Sequence, residues 1–186
     1  MSHLVKYDSI HGVLQRSIST ENETLVIDDL RFQFFHESDI SKLPWKALDI
    51  DFVIEATGKF KTTETAQLHI SAGAKKVILS APPEDDNIKT VVLGVNEHIL
   101  DGSENIISNA SCTTNNAAPM LKIIQELCGI EQAYITTVHS YTTDQSLHDQ
   151  PHKDLRRARG ASQSIIPTTT GAAKAITKIF PELDGK

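Results

Sequence analysis

A cysteine followed at a distance by a histidine is the constellation in this sequence that can do covalent chemistry. Cys112 stands in "SNASCTTNNAAPM", among small polar residues and just ahead of an apolar run with helical spacing. A cysteine at a helix start meets the positive end of the macrodipole and several free backbone N–H groups, and both favour thiolate. Ser111, Thr113 and Thr114, with Asn115 and Asn116, place hydrogen-bond donors near any oxyanion formed there. His139 closes "YITTVHSYTTDQ" at the expected carboxyl end of a buried strand, where open α/β sheets keep their ligands. From there it can serve as the base that activates the thiol. The plain alternative is a small buried thiol and an unrelated histidine, since spacing alone does not reveal proximity. Cys128, in the apolar stripe of the same run, is expected to be core filler.

Anion recognition is the second chemistry on offer. "HKDLRRARG" carries Lys153, Arg156, Arg157 and Arg159, either a solvated face or a clamp whose guanidinium forks match phosphate or carboxylate. "TTTGAAKA" (168–175) puts hydroxyls and a glycine at a helix start, which also suits an anion. His148 and His152 have no adjacent ligand cluster, so no metal site is expected. For nucleotides the strand ends "EATGKF" and "LSAPPED" suit the lip of a dinucleotide site, but no Gly-x-Gly-x-x-Gly occurs in the sequence.

These residues need elements to hold them. The stretches 12–20 and 24–35 are β-rich and read as a small antiparallel unit. A buried strand covered on both faces is expected at 49–58. A helix follows at 61–74, with Gly73 at its C′ position, and a strand at 75–82. Strands are also expected at 90–96, 105–111 and 132–139, and helices at 117–129, closed by Gly129, and 168–180. The segment 140–163 is long, polar and basic. Strand–helix–strand alternation indicates an α/β fold with a largely parallel sheet, and a change of motif type near residue 111 marks a domain boundary.

Composition narrows the class. The chain has 186 residues, 39% apolar and 23% charged, with a net charge of −6. That is ordinary for a soluble globular protein and gives no basic footprint for nucleic acid. No apolar run approaches the ~20 residues that span a bilayer. Two cysteines are too few for a disulfide framework and point to a reducing, cytoplasmic setting.

Taken together, "HLVKYDSIHG", "EATGKF", "GAKKVILSAP", "GVN", "ISNASCTTN", "TTVHSYT", "PHKDLRRARGA" and "IIPTTTGAAKA" closely resemble the phosphorylating glyceraldehyde-3-phosphate dehydrogenases of bacteria, in the family's order and over essentially the whole chain. The resemblance implies a partial doubly wound, Rossmann-like NAD-binding domain at 1–111, followed by the start of an α+β catalytic domain at 112–186. It implies NAD as cofactor, with NADP as the alternative, and glyceraldehyde 3-phosphate and inorganic phosphate as reactants in a step of glycolysis. Cys112 would form a thiohemiacetal and then a thioester, with His139 as base. By the same resemblance Thr142 belongs to the substrate-phosphate site. Ser111, Thr113, Thr170 and Gly171 would surround inorganic phosphate, with Arg157 or Arg159 close by, and Thr57, Gly58 and Ser80 would line the NAD groove. Asn116 stands where many members have a second cysteine, and Thr143 where asparagine is frequent near the nicotinamide.

Against the family pattern, the chain is expected to be a fragment. Met1 aligns inside a family helix, the glycine-rich unit has no counterpart, and the sequence ends at "FPELDGK" ahead of further family strands. The family assembles as a homotetramer, and the isolated chain is expected to be inactive or nearly so. Three competing expectations stand beside this one: a non-catalytic remnant that pairs with another chain, an erythrose-4-phosphate dehydrogenase, and a cysteine hydrolase using the same dyad.

Overall fold

The computed structural model describes residues 2–186. Met1 and the expectation attached to it lie outside them. Helix α1 (Ser2–Lys6) leads into a two-stranded ribbon of β1 (Tyr7–Asp8) and β2 (Gly12–Val13). Its turn is held by Asp8, whose Oδ1 accepts from the N–H groups of Ile10 and His11 at 2.8 and 2.7 Å. The expected antiparallel unit follows as β3 (Ile18–Glu21), β4 (Thr24–Ile27) and β5 (Leu30–Gln33). Asn22 and Asp28 turn its corners at φ 54° and 50°, the left-handed region that short polar side chains tolerate best after glycine.

The sheet that organises the site is four-stranded and parallel throughout. Its strands β6 (Phe52–Glu55), β7 (Lys76–Leu79), β8 (Lys89–Thr90) and β9 (Ile106–Ser108) run in the order β6-β7-β9-β8. Helix α2 (Thr63–Ser71) connects β6 to β7. Its reciprocal Thr62–Thr65 capping box starts it, and Gly73, at φ +112°, ends it. Only glycine fits there, because a Cβ would come within 2.4 Å of Lys46 Cβ. The core between α2 and the sheet is Val53, Ala66, Ala74, Val77, Leu79 and Ile88, with Trp45 and Ile50 packed on its rim.

A second cluster joins the sheet to the helices that follow. Val92, Val95 and Ala110 meet Ala117 and Ala118 of α3 (Cys112–Cys128) and Ile176 and Ile179 of α4 (Ala172–Ile179). Among the described residues no helix is long and apolar enough to cross a membrane.

Several elements differ from the expectations. β6 is covered on one face only: Val53 and Glu55 are buried, while Phe52 and Ile54 are 60% and 69% exposed. It is an edge strand, and α2 packs on the other face. Of 90–96 only Thr90 is strand; a turn at Gly94 takes over, and Asn96 stitches it by accepting from Val92 N–H at 2.8 Å and donating to Thr90 O at 3.0 Å. The segment 132–139 is not a strand. No neighbouring strand among the described residues pairs with it, and Tyr134 and Val138 stand in solvent. Helix α3 begins at Cys112, five residues before 117, and buries a different stripe. Thr114, Ala117, Ala118 and Leu121, at helical spacing, pack against α4. The larger Met120, Ile123, Ile124 and Leu127 face outward, and Cys128 with them, so Cys128 is not core filler. Small side chains let two helices approach closely, and that approach selected the buried face. α4 starts at Ala172, after the three threonines rather than within them. Past β9 the described residues form helices and turns, with no further strand.

Candidate active site

The carboxyl end of β9 delivers the chain to the nucleophile through a strained turn. Ala110 is buried and sits at φ +59°, a conformation that costs a β-carbon residue about 1 kcal/mol or more. Its N–H donates to Ser108 Oγ at 3.0 Å, and that hydroxyl donates to Ala81 O at 2.8 Å. Asn115 ties the same turn from the helix side, donating to Asn109 O at 2.7 Å and Ser111 O at 3.0 Å. Ser111 is the N-cap of α3, and its Oγ accepts from Thr114 N–H at 3.1 Å. Cys112 is therefore the first residue of a 17-residue helix, where the macrodipole favours an anion.

His139 reaches this sulfur. Cys112 Sγ and His139 Nε2 lie 3.3 Å apart, and His139 Nδ1 is 2.6 Å from Ser140 O. A carbonyl only accepts, so Nδ1 carries a proton and Nε2 is left to take the proton of the thiol. The hydrogen bond from His139 lowers the Cys112 pKa; partial burial opposes it, and Thr113 N–H assists it. The His139 pKa is raised, first by Cys112 and then by the Ser140 carbonyl. Both shifts favour a thiolate–imidazolium pair, and both residues are exposed to solvent and reagent.

The remaining expected site residues divide into two groups. Thr57, Gly58 and Ser80 stand exposed at the carboxyl ends of β6 and β7, linked by Ser80 N–H donating to Glu55 O at 3.0 Å. Gly171 and Thr114 line one cavity of about 210 Å³ between α3 and α4, together with Ala110 and Lys174. Thr170 adjoins it, its Oγ1 accepting from Ala172 N–H at 3.2 Å. Ser111 and Thr113 flank the sulfur in the chain. Thr142 is three residues beyond His139, its N–H donating to Gln145 Oε1 at 2.9 Å. Arg157 is paired with Asp144, and with Asp154 at 3.7 Å, while Arg159 is paired with Asp149 at 2.8 Å. Among the described residues no hydrogen bond or ion pair joins either arginine to Cys112 or His139. Among them also no three His, Cys, Asp or Glu side chains gather as metal ligands.

For a dinucleotide the fit is uneven. At Gly58, φ +71°, a Cβ would meet nothing within 4 Å beyond its chain neighbours, so the turn is open on that side. The N-terminus of α2, by contrast, is already capped. Thr65 N–H is taken by Thr62, and Thr63 N–H donates to Asp85 Oδ2 at 2.6 Å. Two of its first N–H groups are thereby engaged, so this helix start is not free to bind an anion. The glycine-rich turn that would hold a pyrophosphate has no counterpart in the sequence, and Thr57, Gly58 and Ser80 stand open at the strand ends.

One feature escaped the sequence reading. Glu55, at the end of β6, is buried with His69, and the half-buried Trp45 completes a connected polar group. A carboxylate buried there signals buried partners, though not which ones.

Comparison with known proteins decides the family. Residues 1–63 match the family model of the glyceraldehyde 3-phosphate dehydrogenase NAD binding domain, and residues 111–186 that of the C-terminal domain. The chain belongs to the glyceraldehyde-3-phosphate dehydrogenase family. It is 50% identical over 187 residues to glyceraldehyde-3-phosphate dehydrogenase 2 of Bacillus subtilis, covering 100% of this chain and 55% of that protein. It is 53% identical over 179 residues to the Thermotoga maritima glyceraldehyde-3-phosphate dehydrogenase, covering 96% and 54%. The Geobacillus stearothermophilus protein of that name is 50% identical over 187 residues, covering 100% and 56%. The chain thus spans about half the length of these glyceraldehyde-3-phosphate dehydrogenases.

Proposed function

We propose that Cys112 and His139 are the nucleophile and base of an NAD-dependent, phosphorylating glyceraldehyde-3-phosphate dehydrogenase, in a protein divided into domains 1–111 and 112–186. The observation that carries this reading is the 3.3 Å approach of His139 Nε2 to a sulfur at the first position of a helix. His139 takes the thiol proton and Cys112 Sγ adds to the aldehyde carbon, while the imidazolium returns a proton to the carbonyl oxygen to give a thiohemiacetal. His139 then withdraws the hydroxyl proton as the carbon loses hydride, and a thioester remains. NAD⁺, when bound, supplies the hydride acceptor. Inorganic phosphate attacks the thioester carbon, expelling Cys112 as thiolate and leaving an acyl phosphate.

Around this centre we assign Thr142 to the substrate phosphate. Ser111, Thr113, Thr170 and Gly171 are assigned to inorganic phosphate, and Thr57, Gly58 and Ser80 to the NAD groove. Arg157 or Arg159 reaches an anion only by leaving Asp144 or Asp149, so their part depends on an exchange of carboxylate for phosphate. Two free thiols support a reducing, cytoplasmic setting, and the homotetramer implied by the family belongs to the same proposal.

The test is substrate protection. Glyceraldehyde 3-phosphate is expected to slow alkylation of Cys112 by iodoacetamide at concentrations where unphosphorylated glyceraldehyde has no effect. Equal protection by both would remove the phosphate site, and protection by neither would remove the reaction.

A further inference from the structure

Glu55 ends an otherwise apolar strand, and it is only 5% exposed. A carboxylate placed there demands partners, and both oxygens have them. Oε1 accepts from Thr57 N–H at 2.7 Å and also from the Thr57 hydroxyl. Oε2 lies 3.1 Å from Nε2 of His69, itself 4% exposed. The other ring nitrogen, Nδ1, is 3.1 Å from Trp45 Nε1. An indole N–H can only donate, so His69 Nδ1 accepts and the ring proton sits on Nε2, donating to Glu55. Trp45 thereby fixes the tautomer of His69, and the carboxylate accepts from His69 on one side and Thr57 on the other. Phe60 stands edge-on to the His69 ring at 6.5 Å and 85°, closing one side. At the far end Thr57 Oγ1 accepts from Lys59 N–H at 3.2 Å.

We propose that Trp45, His69 and Glu55 form a positioning relay that fixes the Thr57–Gly58 turn at the lip of the NAD groove, a role that rests on the cofactor reading above. None of the three touches the ligand; His69 and Trp45 act through Glu55, and Glu55 acts through Thr57. With its N–H and hydroxyl engaged by Glu55, Thr57 offers a ligand its methyl group and carbonyl. Gly58 then keeps its left-handed turn beside open space. The turn is held from beneath, and its outer side is left open.

Bond direction makes the relay testable by rescue. Glu55→Gln keeps the shape but leaves one acceptor for two donors, so the amide NH2 faces either the Nε2–H of His69 or the N–H of Thr57. The imidazole cannot relieve this by moving its proton to Nδ1, because Trp45 donates there. Trp45→Phe removes that obstacle, so the double variant can reverse the tautomer and satisfy Gln at position 55. In the 186-residue chain, ¹⁵N spectra of the wild type should show His69 protonated on Nε2. Glu55→Gln should speed hydrogen exchange of the Thr57 amide roughly tenfold or more. Trp45→Phe with Glu55→Gln should recover most of that protection and show the proton on Nδ1.

A wild-type proton on Nδ1, unchanged Thr57 exchange in Glu55→Gln, or a double variant no better than the single would each overturn the relay. The wild-type spectrum needs no variant to fold. NAD⁺, titrated separately into the wild type, should shift the Thr57 and Gly58 amides. If the relay results hold and this titration leaves both amides unmoved, the cofactor reading alone is overturned.

Discussion

Cys112 Sγ and His139 Nε2 meet at 3.3 Å although the two residues arrive on very different supports. Cys112 is fixed by a capped helix start, a strained alanine and two asparagine side-chain bonds. His139 comes from an extended segment with no strand partner among the described residues, and is steadied there by the Ser140 carbonyl. The sulfur is the rigid member of the pair.

Removing the imidazole should therefore alter reactivity far more than fold. His139→Asn is expected to slow alkylation of Cys112 at pH 7 by about tenfold or more, since the neutral thiol is unreactive. The sign follows from the direction of the shift. The wild-type thiol pKa is lowered by His139, so the variant's rate should rise only at higher pH. An unchanged midpoint would show that the helix start alone activates the thiol.

The cap is a separable contribution. Ser111→Ala removes the acceptor for Thr114 N–H and should destabilise the chain by about 1 kcal/mol, while Ser111→Thr loses much less. Urea unfolding of the three proteins measures this. A loss confined to Cys112 reactivity, with stability intact, would contradict the capping role.

At Ala110 two effects oppose each other. Glycine would relieve φ +59° but delete a methyl group buried against α3 and α4, so Ala110→Gly should stay within about 1 kcal/mol of wild type. Ala110→Val combines a β-branched side chain at positive φ with overpacking and should lose about 2 kcal/mol or more. Equal effects from the two would show that the turn carries no strain.

Turnover by the 186-residue chain alone should be slight. No Gly-x-Gly-x-x-Gly occurs in it, so the turn that seats a pyrophosphate on a helix start is missing. Dehydrogenase activity with NAD within a few-fold of a full-length relative would contradict this.

The legible parts of the fold were those decided by local chemistry. A glycine-ended helix at 61–74, the apolar strands around it and a cysteine at a helix start all follow from residue type and spacing, and the structure contains them. What the sequence hid was the choice of partner. Helix α3 has two apolar stripes, and the one carrying Thr114, Ala117 and Ala118 is buried because α4 can approach it closely. The residues of 132–139 favour strand, but a strand exists only where a second one completes its ladder. Arg157 and Arg159 look like a free clamp until Asp144 and Asp149, in the same polar segment, close on them. Glu55 went unread in the sequence, and only the fold names His69 as its partner.

The account turns on whether the Cys112 thiol is preactivated, and its two cysteines supply the measurement. Both are exposed, so accessibility does not separate them, and the rate of alkylation by iodoacetamide, read site by site with mass spectrometry across pH 5–10, reports the thiolate at each. Cys112 should outpace Cys128 by at least about tenfold near neutral pH, its rate falling only at a pH well below that of an ordinary thiol. Equal rates with coincident pH profiles would contradict the account, because neither the helix start nor His139 would then be favouring the anion.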